Sequence, residues 1–112
     1  MSFLDVQTNK DIRRDLHDWD INFDCKSIKL VYLNPGNTVG KHYHKNKDEL
    51  FVLTDGTLNE IIIDNEIYSN VKSPACWLVP KGTFHEYYSD SKITLLCLAS
   101  EVFNPKDDFE KK

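Results

Sequence analysis

Long apolar runs are missing from this chain. The longest, Ile93 to Ala99, is interrupted by Thr94 and falls far short of the roughly 20 residues a membrane helix needs. The start, Met1-Ser2-Phe3-Leu4-Asp5, has no basic stretch leading into an apolar one, so no secretory signal is expected. Cysteine is sparse and odd in number: Cys25, Cys76 and Cys97 stand far apart, with no Cys-x-x-Cys pair, which offers no disulfide framework. Cys76 and Cys97 sit in apolar runs, where a reduced thiol packs as a small hydrophobe. These absences lead to the expectation of a cytoplasmic protein without membrane contact.

A basic surplus is missing too. Lys and Arg number 14 against 18 Asp and Glu, a net charge of −4. The short basic clusters, Arg13-Arg14 and Lys111-Lys112, each have acids nearby. Phosphate backbones select clustered cations, so no nucleic-acid partner is expected. Internal repeats and low-complexity tracts are absent as well. The 112 residues read as one domain, 1–112, with its core at about 27–100. A domain of this size buries roughly 60–70% of the surface its unfolded chain exposes.

What is present is a series of short β-rich runs divided by turn chemistry. The first twenty residues are polar, and Asp11 to Trp19 offers at most one or two turns of helix. Strands are then expected at Ser27–Leu33, from His42 to His44, and at Glu49–Leu53, Leu58–Ile63, Glu66–Ser69, Cys76–Val79, Phe84–Tyr88 and Ile93–Ala99. Turns fall at Asn34-Pro35-Gly36-Asn37, Asp55-Gly56, Asp64-Asn65 and Pro80-Lys81-Gly82, residues that favour turn backbones. The tail after Asn104-Pro105 has a cap, a proline at the first position and early acids, a helix start, and Asp107 to Glu110 reads as its solvated face. Many short strands with no intervening helices imply an all-β antiparallel jelly roll or barrel, with short irregular or helical N- and C-terminal segments. Leu95 to Ala99 is apolar on both faces, so something outside the barrel, a partner subunit or an N-terminal arm, should cover it.

Three of the four histidines fall in one ordered pattern. His42 and His44 lie two apart, so on a strand they share a face. Glu49 opens the next strand and His85 follows the Pro80-x-Gly82 turn. Three imidazoles and a carboxylate converging inside a barrel suit a divalent ion such as Fe, Mn, Ni or Zn. Four protein ligands leave open positions, as catalytic sites do and closed structural sites do not. Any one of these residues alone would mean little; their joint order carries the reading. Tyr87 lies two residues beyond His85 and should share its inward face. Tyr32 should point inward as well, and Tyr43 to the other side. Trp77 lies in an apolar run and reads as core, and His17 as surface.

The pattern resembles the cupin superfamily. Its first motif is Gly, five residues, His-x-His, three or four residues, Glu, six residues, Gly, and Gly36, His42, His44, Glu49 and Gly56 fill it. In its second, Pro80, Gly82 and His85 match, while Pro74 and Ser89 stand where Gly and Asn are usual. A finer likeness runs through Phe23-Asp24, Val31-Tyr32, His42-Tyr43-His44-Lys45, Phe84-His85-Glu86 and Leu95 to Ser100. Together these are similar to the nucleotide-sugar 3,4-ketoisomerases of polysaccharide synthesis, which act as dimers and shuttle protons beside a keto group. Those enzymes place an Arg shortly before the first His, where Val39-Gly40-Lys41 stands here, and usually lack the full ligand set that Glu49 completes.

The resemblance implies a cupin-type jelly-roll barrel and a small metal-binding isomerase or epimerase acting on a sugar or sugar-like carbonyl. His42, His44, Glu49 and His85 would hold the metal, Tyr87 and His85 would serve acid–base catalysis, and Tyr32 and Lys41 would contact substrate. A homodimer with a small-molecule substrate is the expected assembly. Two alternatives stay open: an Fe(II)-dependent dioxygenase on a small polar substrate, and a non-catalytic metal-bearing binding module for a sugar or other small molecule.

Overall fold

The computed structural model describes residues 1–110; the Lys111-Lys112 cluster lies outside them. Ten strands follow one another: β1 (Gln7–Lys10), β2 (Asp15–Asp18), β3 (Ser27–Leu33), β4 (Asn37–His42), β5 (Glu49–Asp55), β6 (Thr57–Ile63), β7 (Glu66–Lys72), β8 (Ala75–Val79), β9 (His85–Ser89) and β10 (Ile93–Ala99), with a 3₁₀ turn at Pro105–Asp107. Strands β3 to β10 build two antiparallel four-stranded sheets, ordered β3-β10-β5-β8 and β4-β9-β6-β7. This is the jelly-roll order expected of a cupin barrel.

Alternation builds the core. Along β10 Ile93, Leu95, Cys97 and Ala99 are buried while Thr94, Leu96 and Leu98 are half-buried, the two-residue period of a pleated strand. Leu33, Phe51, Leu53, Trp77 and Val79 from one sheet meet Leu58, Ile61, Ile63 and Tyr87 from the other. Trp77 and Tyr87 lock the two sheets together: the indole Nε1 donates to the Tyr87 hydroxyl at 3.0 Å, which leaves neither polar atom stranded in the interior. The expected burial of Trp77, Cys76 and Cys97 is observed.

Turn chemistry sets the registers. Asp55-Gly56 and Asp64-Asn65 close the β5–β6 and β6–β7 connections as expected. Asp64 takes a left-handed φ of 50°, which Asp and Asn tolerate better than most residues. Gly56 has φ 93°, and an added Cβ would sit 2.7 Å from Ile93 Cγ2 and 2.9 Å from the Lys92 carbonyl.

Three expectations are corrected. Asp11 to Trp19 forms no helix; residues 7–18 fold as the β1–β2 hairpin. Asp11 explains it, because its Oδ1 accepts from the backbone N–H of Arg13 at 2.8 Å and of Arg14 at 3.2 Å, a side-chain turn that competes with helix. The strand expected to start at His42 instead starts at Asn37 and ends at His42. The C-terminal segment is not a solvated helix face. Asn104 caps a single 3₁₀ turn, Asp107 is buried, and Phe109 pairs with Tyr43 through two backbone hydrogen bonds of 2.8 and 3.1 Å.

Outside the barrel, the N-terminal arm runs along the free edge of β8, where Leu4 N–H donates to the Cys76 carbonyl at 2.8 Å. The outer row of β3, namely Ile28, Leu30 and Tyr32, stays exposed. Gly56→Ala should cost about 1–3 kcal/mol, combining a positive-φ residue with a blocked Cβ. Urea unfolding of the variant measures it, as a lower midpoint at unchanged slope.

Candidate functional site

His42 closes β4 after a bulge. Gly40 (φ 84°) and Lys41 (φ 63°) both take left-handed backbone, and the register against β9 slips between Gly40 and His42. A Cβ on residue 40 would lie 2.8 Å from the His85 carbonyl oxygen, so glycine is what lets β4 press against β9 there. The chain then leaves the sheet. Tyr43 pairs with Phe109 and His44 follows in a buried loop position. His42 and His44 thus converge as expected, but through the bulge and the pairing of Tyr43, not through simple strand alternation.

The loop carrying His44 and the turn carrying His85 hold each other. Gly82 N–H donates to the His44 carbonyl, and Lys81 N–H donates to Asp48 Oδ1 at 2.8 Å. On the far side Asp64 Oδ1 accepts from Phe84 N–H at 2.9 Å. Glu49 opens β5 and is buried at 4% exposure.

The structure brings the four predicted residues together. One ligand atom from each of His42, His44, Glu49 and His85 lies within 4.8 Å of every other. Ring centroids are 4.5 Å apart for His42 and His44, 4.7 Å for His42 and His85, and 5.7 Å for His44 and His85. Glu49 Oε1 is 3.2 Å from His44 Nε2 and 3.5 Å from His85 Nε2, yet neither approach makes a hydrogen bond, and Oε1 is a buried acceptor without a partner.

The outward nitrogens decide the protonation pattern. His44 Nδ1 lies 2.6 Å from the Asp107 carbonyl oxygen; a carbonyl only accepts, so Nδ1 carries the proton. With Nδ1 protonated, Nε2 faces the carboxylate oxygen either as a lone pair with an ion between them or as the second N–H of an imidazolium. His42 Nδ1 likewise faces Asp108 Oδ1 at 2.9 Å, which leaves its Nε2 unprotonated. His44 Nε2 and Glu49 Oε1 at 3.2 Å therefore need a positive charge between them, a proton or a metal ion. An imidazole tautomer fixed by a carbonyl or carboxylate behind it is the usual wiring of a metal-ligating histidine. The donor set and its arrangement therefore fit a divalent cation.

The electrostatics set His44 apart from the other two histidines. Burial disfavours the charged form of His44, but the Glu49 carboxylate and the Asp107 carbonyl outweigh it and raise its pKa. Burial would also raise Glu49, yet His44, His85 and the Cys97 thiol hold it down at about 2. Burial pushes His85 down to about 4 and lowers His42, with His44 adding to the effect. At neutral pH the site therefore offers an ionised carboxylate with neutral His42 and His85.

A cavity of about 130 Å³ lies over this cluster, between the sheets, lined among others by Lys29, Val31, Phe51, Tyr87 and Cys97. A wider mouth of about 680 Å³, lined by Lys41, Phe84, Glu86, Asp108 and Glu110, shares Gly40 and His42 with it. Tyr87 points inward as expected; burial raises its pKa well above the usual value, so it stays protonated. Lys41 stands at the mouth. The inward orientation expected of Tyr32 is corrected: alternation on β3 turns Val31 toward the cavity and leaves Tyr32 61% exposed on the outside. His17 is exposed, as expected.

Sequence reasoning missed Cys97, Asp107 and Asp108. Cys97 Sγ–H donates to Glu49 Oε2 at 3.1 Å, and the two aspartates stand behind His44 and His42. The inward alternation of β10 was a signal for Cys97; nothing local marked the aspartates, which meet the histidines across more than sixty residues.

The family described as FdtA: WxcM-like, C-terminal matches residues 2–111. No curated protein matches the chain. Among solved structures, a 3,4-ketoisomerase from Helicobacter canadensis is 24% identical with a TM-score of 0.81, covering 98% of this chain and 90% of that one. The sugar 3,4-ketoisomerase QdtA from Thermoanaerobacterium thermosaccharolyticum, solved with TDP, is 19% identical with a TM-score of 0.83, covering 98% and 87%. The TDP-quinovose 3,4-ketoisomerase WlaRB from Campylobacter jejuni is 21% identical with a TM-score of 0.84, covering 98% and 92%. These likenesses establish the shared fold.

Asp107 also accepts from the backbone N–H groups of Lys45 and Asn46 at 2.8 and 3.1 Å. Asp107→Ala should therefore destabilise the protein by about 1–3 kcal/mol, since it strands buried donors. Thermal melting of the variant checks this.

Proposed function

The chain belongs to the WxcM-like, C-terminal (FdtA) family, and from that membership we propose that it is a sugar-carbonyl isomerase with a divalent ion held by His42, His44, Glu49 and His85. The observation that carries the reading is the unpartnered Glu49 Oε1 facing His44 Nε2 at 3.2 Å, inside a fold shared with solved 3,4-ketoisomerases. The mouth supports a sugar-like substrate: its volume is about 680 Å³ and its lining mixes the Phe84 ring with the charged Lys41, Glu86, Asp108 and Glu110. Lys41 is placed there to meet an anionic group on the substrate.

A 3,4-ketoisomerisation moves a carbonyl to the neighbouring carbon. A proton leaves the carbon beside the carbonyl, an ene-diol forms, and a proton returns to the former carbonyl carbon, so nothing is gained or lost overall. A bound ion supplies polarisation of the carbonyl oxygen. The residues of the chain do the rest. Tyr87, protonated and held by Trp77, keeps its own O–H free to donate to a substrate oxygen in the inner cavity. A second, metal-free reading rests on the raised pKa of His44 and the depressed one of His85: a proton on His44 would neutralise Glu49 and leave the neutral His85 as the base.

We assign a second copy of the chain to the exposed row Ile28, Leu30 and Tyr32, at 67%, 54% and 61% exposure. These alternate residues form one apolar strip on the edge strand β3, continuous with Leu96 and Leu98 of β10. Such strips mark interaction surfaces. The free thiols of Cys25, Cys76 and Cys97 suit the reducing cytoplasm, and no helix of the described residues is long and apolar enough to cross a membrane.

Two measurements test these assignments. Elemental analysis of the purified protein should find one divalent ion per chain, absent from His44→Ala, and chelation should remove the isomerisation of a nucleotide-linked 4-keto sugar. A metal-free protein with full activity would establish the metal-free reading; an inert protein toward keto sugars would remove the isomerase. For the assembly, sedimentation should give a dimer mass for the native chain and a monomer for Leu30→Glu.

A further inference from the structure

The last turn of the described chain reaches back across the fold to the candidate metal centre. Asn104 Oδ1 accepts from Lys106 N–H at 3.1 Å and starts the 3₁₀ turn. Asp107 is only 5% exposed; its carboxylate takes the backbone N–H groups of Lys45 and Asn46 and the Asn46 side chain at 3.2 Å. Its backbone carbonyl holds His44 Nδ1 at 2.6 Å. The next residue, Asp108, holds His42 Nδ1 at 2.9 Å. Phe109 then pairs with Tyr43, the residue between the two histidines. Its ring stacks on Tyr43 at 5.3 Å, and Lys45 Nζ sits 4.4 Å from its centroid.

Nothing else in the described structure orients these two imidazoles from behind. The turn thus makes three successive contacts, 107, 108 and 109, to three successive residues, 44, 42 and 43. Free rotation of His42 and His44 about their side-chain bonds would scatter the Nε2 atoms. The strap removes that freedom, holding both Nδ1 atoms from behind, with His44 Nε2 facing Glu49 and one ligand atom of His42 in the same cluster. We propose that residues 104–109 are a positioning strap of the metal centre, so that ion binding and docking of the C-terminal segment stabilise one another; this rests on the metal reading above. Asp108 is the residue through which the coupling is tested, because its side chain is 44% exposed and holds His42 Nδ1.

The coupling is reciprocal by thermodynamic necessity. If the strap favours ion binding by a given factor, the ion favours strap docking by the same factor. Loss of a residue behind a metal-ligating histidine typically weakens binding about 10–100-fold. Lifting the segment, by a partner protein or by cleavage before Asn104, would release the ion without touching a ligand.

Calorimetric titration of the metal-stripped native chain, Asp108→Ala and Asp108→Asn with Ni²⁺ is the test. The native chain should bind one ion, Asp108→Ala about 10–100-fold more weakly, and Asp108→Asn in between, since its amide oxygen still accepts from His42. The metal-free melting temperatures of all three should agree, which separates positioning from a loss of fold. In parallel, Ni²⁺ should slow hydrogen exchange at the Tyr43 and Phe109 amides in the native chain. Equal affinity in native and Asp108→Ala proteins, or unchanged exchange at those amides, would overturn the strap while leaving the metal site standing. A native chain that binds no Ni²⁺ would overturn both.

Discussion

An imidazole lone pair and a carboxylate oxygen cannot face each other at 3.2 Å in a closed interior without a positive charge between them. That constraint, set by His44 and Glu49, organises the rest of the site. Burial of each group raises the cost of leaving the charge out, because little water is present to screen it. The fold supplies the two ends of the arrangement from different places: Glu49 from the first residue of β5, His44 from a loop leaving β4. The barrel brings them within contact, and the Asp107 carbonyl behind His44 prevents the simplest escape, a switch of tautomer.

Much of this was legible in the residues. The strands Ser27–Leu33 and Ile93–Ala99 were readable residue for residue as β-rich apolar runs beside turn residues. The cluster of His42, His44, Glu49 and His85 was legible because His-x-His, Glu and Pro-x-Gly-x-x-His stand in a fixed order along the chain. The N-terminal hairpin was not legible: its residues are all polar or exposed, so no apolar period marks it, and the Asp11 side chain decides the turn. Tyr32 was misplaced because both rows of β3 carry apolar residues, Ile28, Leu30 and Tyr32 on one and Val31 and Leu33 on the other; the second row faces in and Tyr32 takes the outside. The roles of Asp107 and Asp108 were invisible for a different reason. They act at a sequence distance of more than sixty residues, and in isolation an acidic tail looks like solvent-facing charge.

Membership of the WxcM-like, C-terminal family fixes the architecture, while the chemistry depends on a few side chains placed on it. One barrel can host several activities, and what individualises this one is how its ligands are backed. His42 and His44 have the strap behind them, whereas buried His85 Nδ1 makes no such bond and has the Thr83 backbone beside the ring. That asymmetry makes His85 the least constrained of the three rings, held in place mainly by packing against Phe51 and Tyr87 at 5.4 and 5.6 Å.

The Trp77–Tyr87 hydrogen bond has an optical consequence. Trp77 is fully buried, stacked near Phe51 and bonded to a tyrosine that itself touches His85. Its emission should therefore be blue-shifted and sensitive to events two side chains away. Trp19 is half-exposed, in the polar segment, and should emit further to the red. The chain thus carries its own pair of spectroscopic dyes, one reading the interior of the barrel and one its periphery, with no label attached.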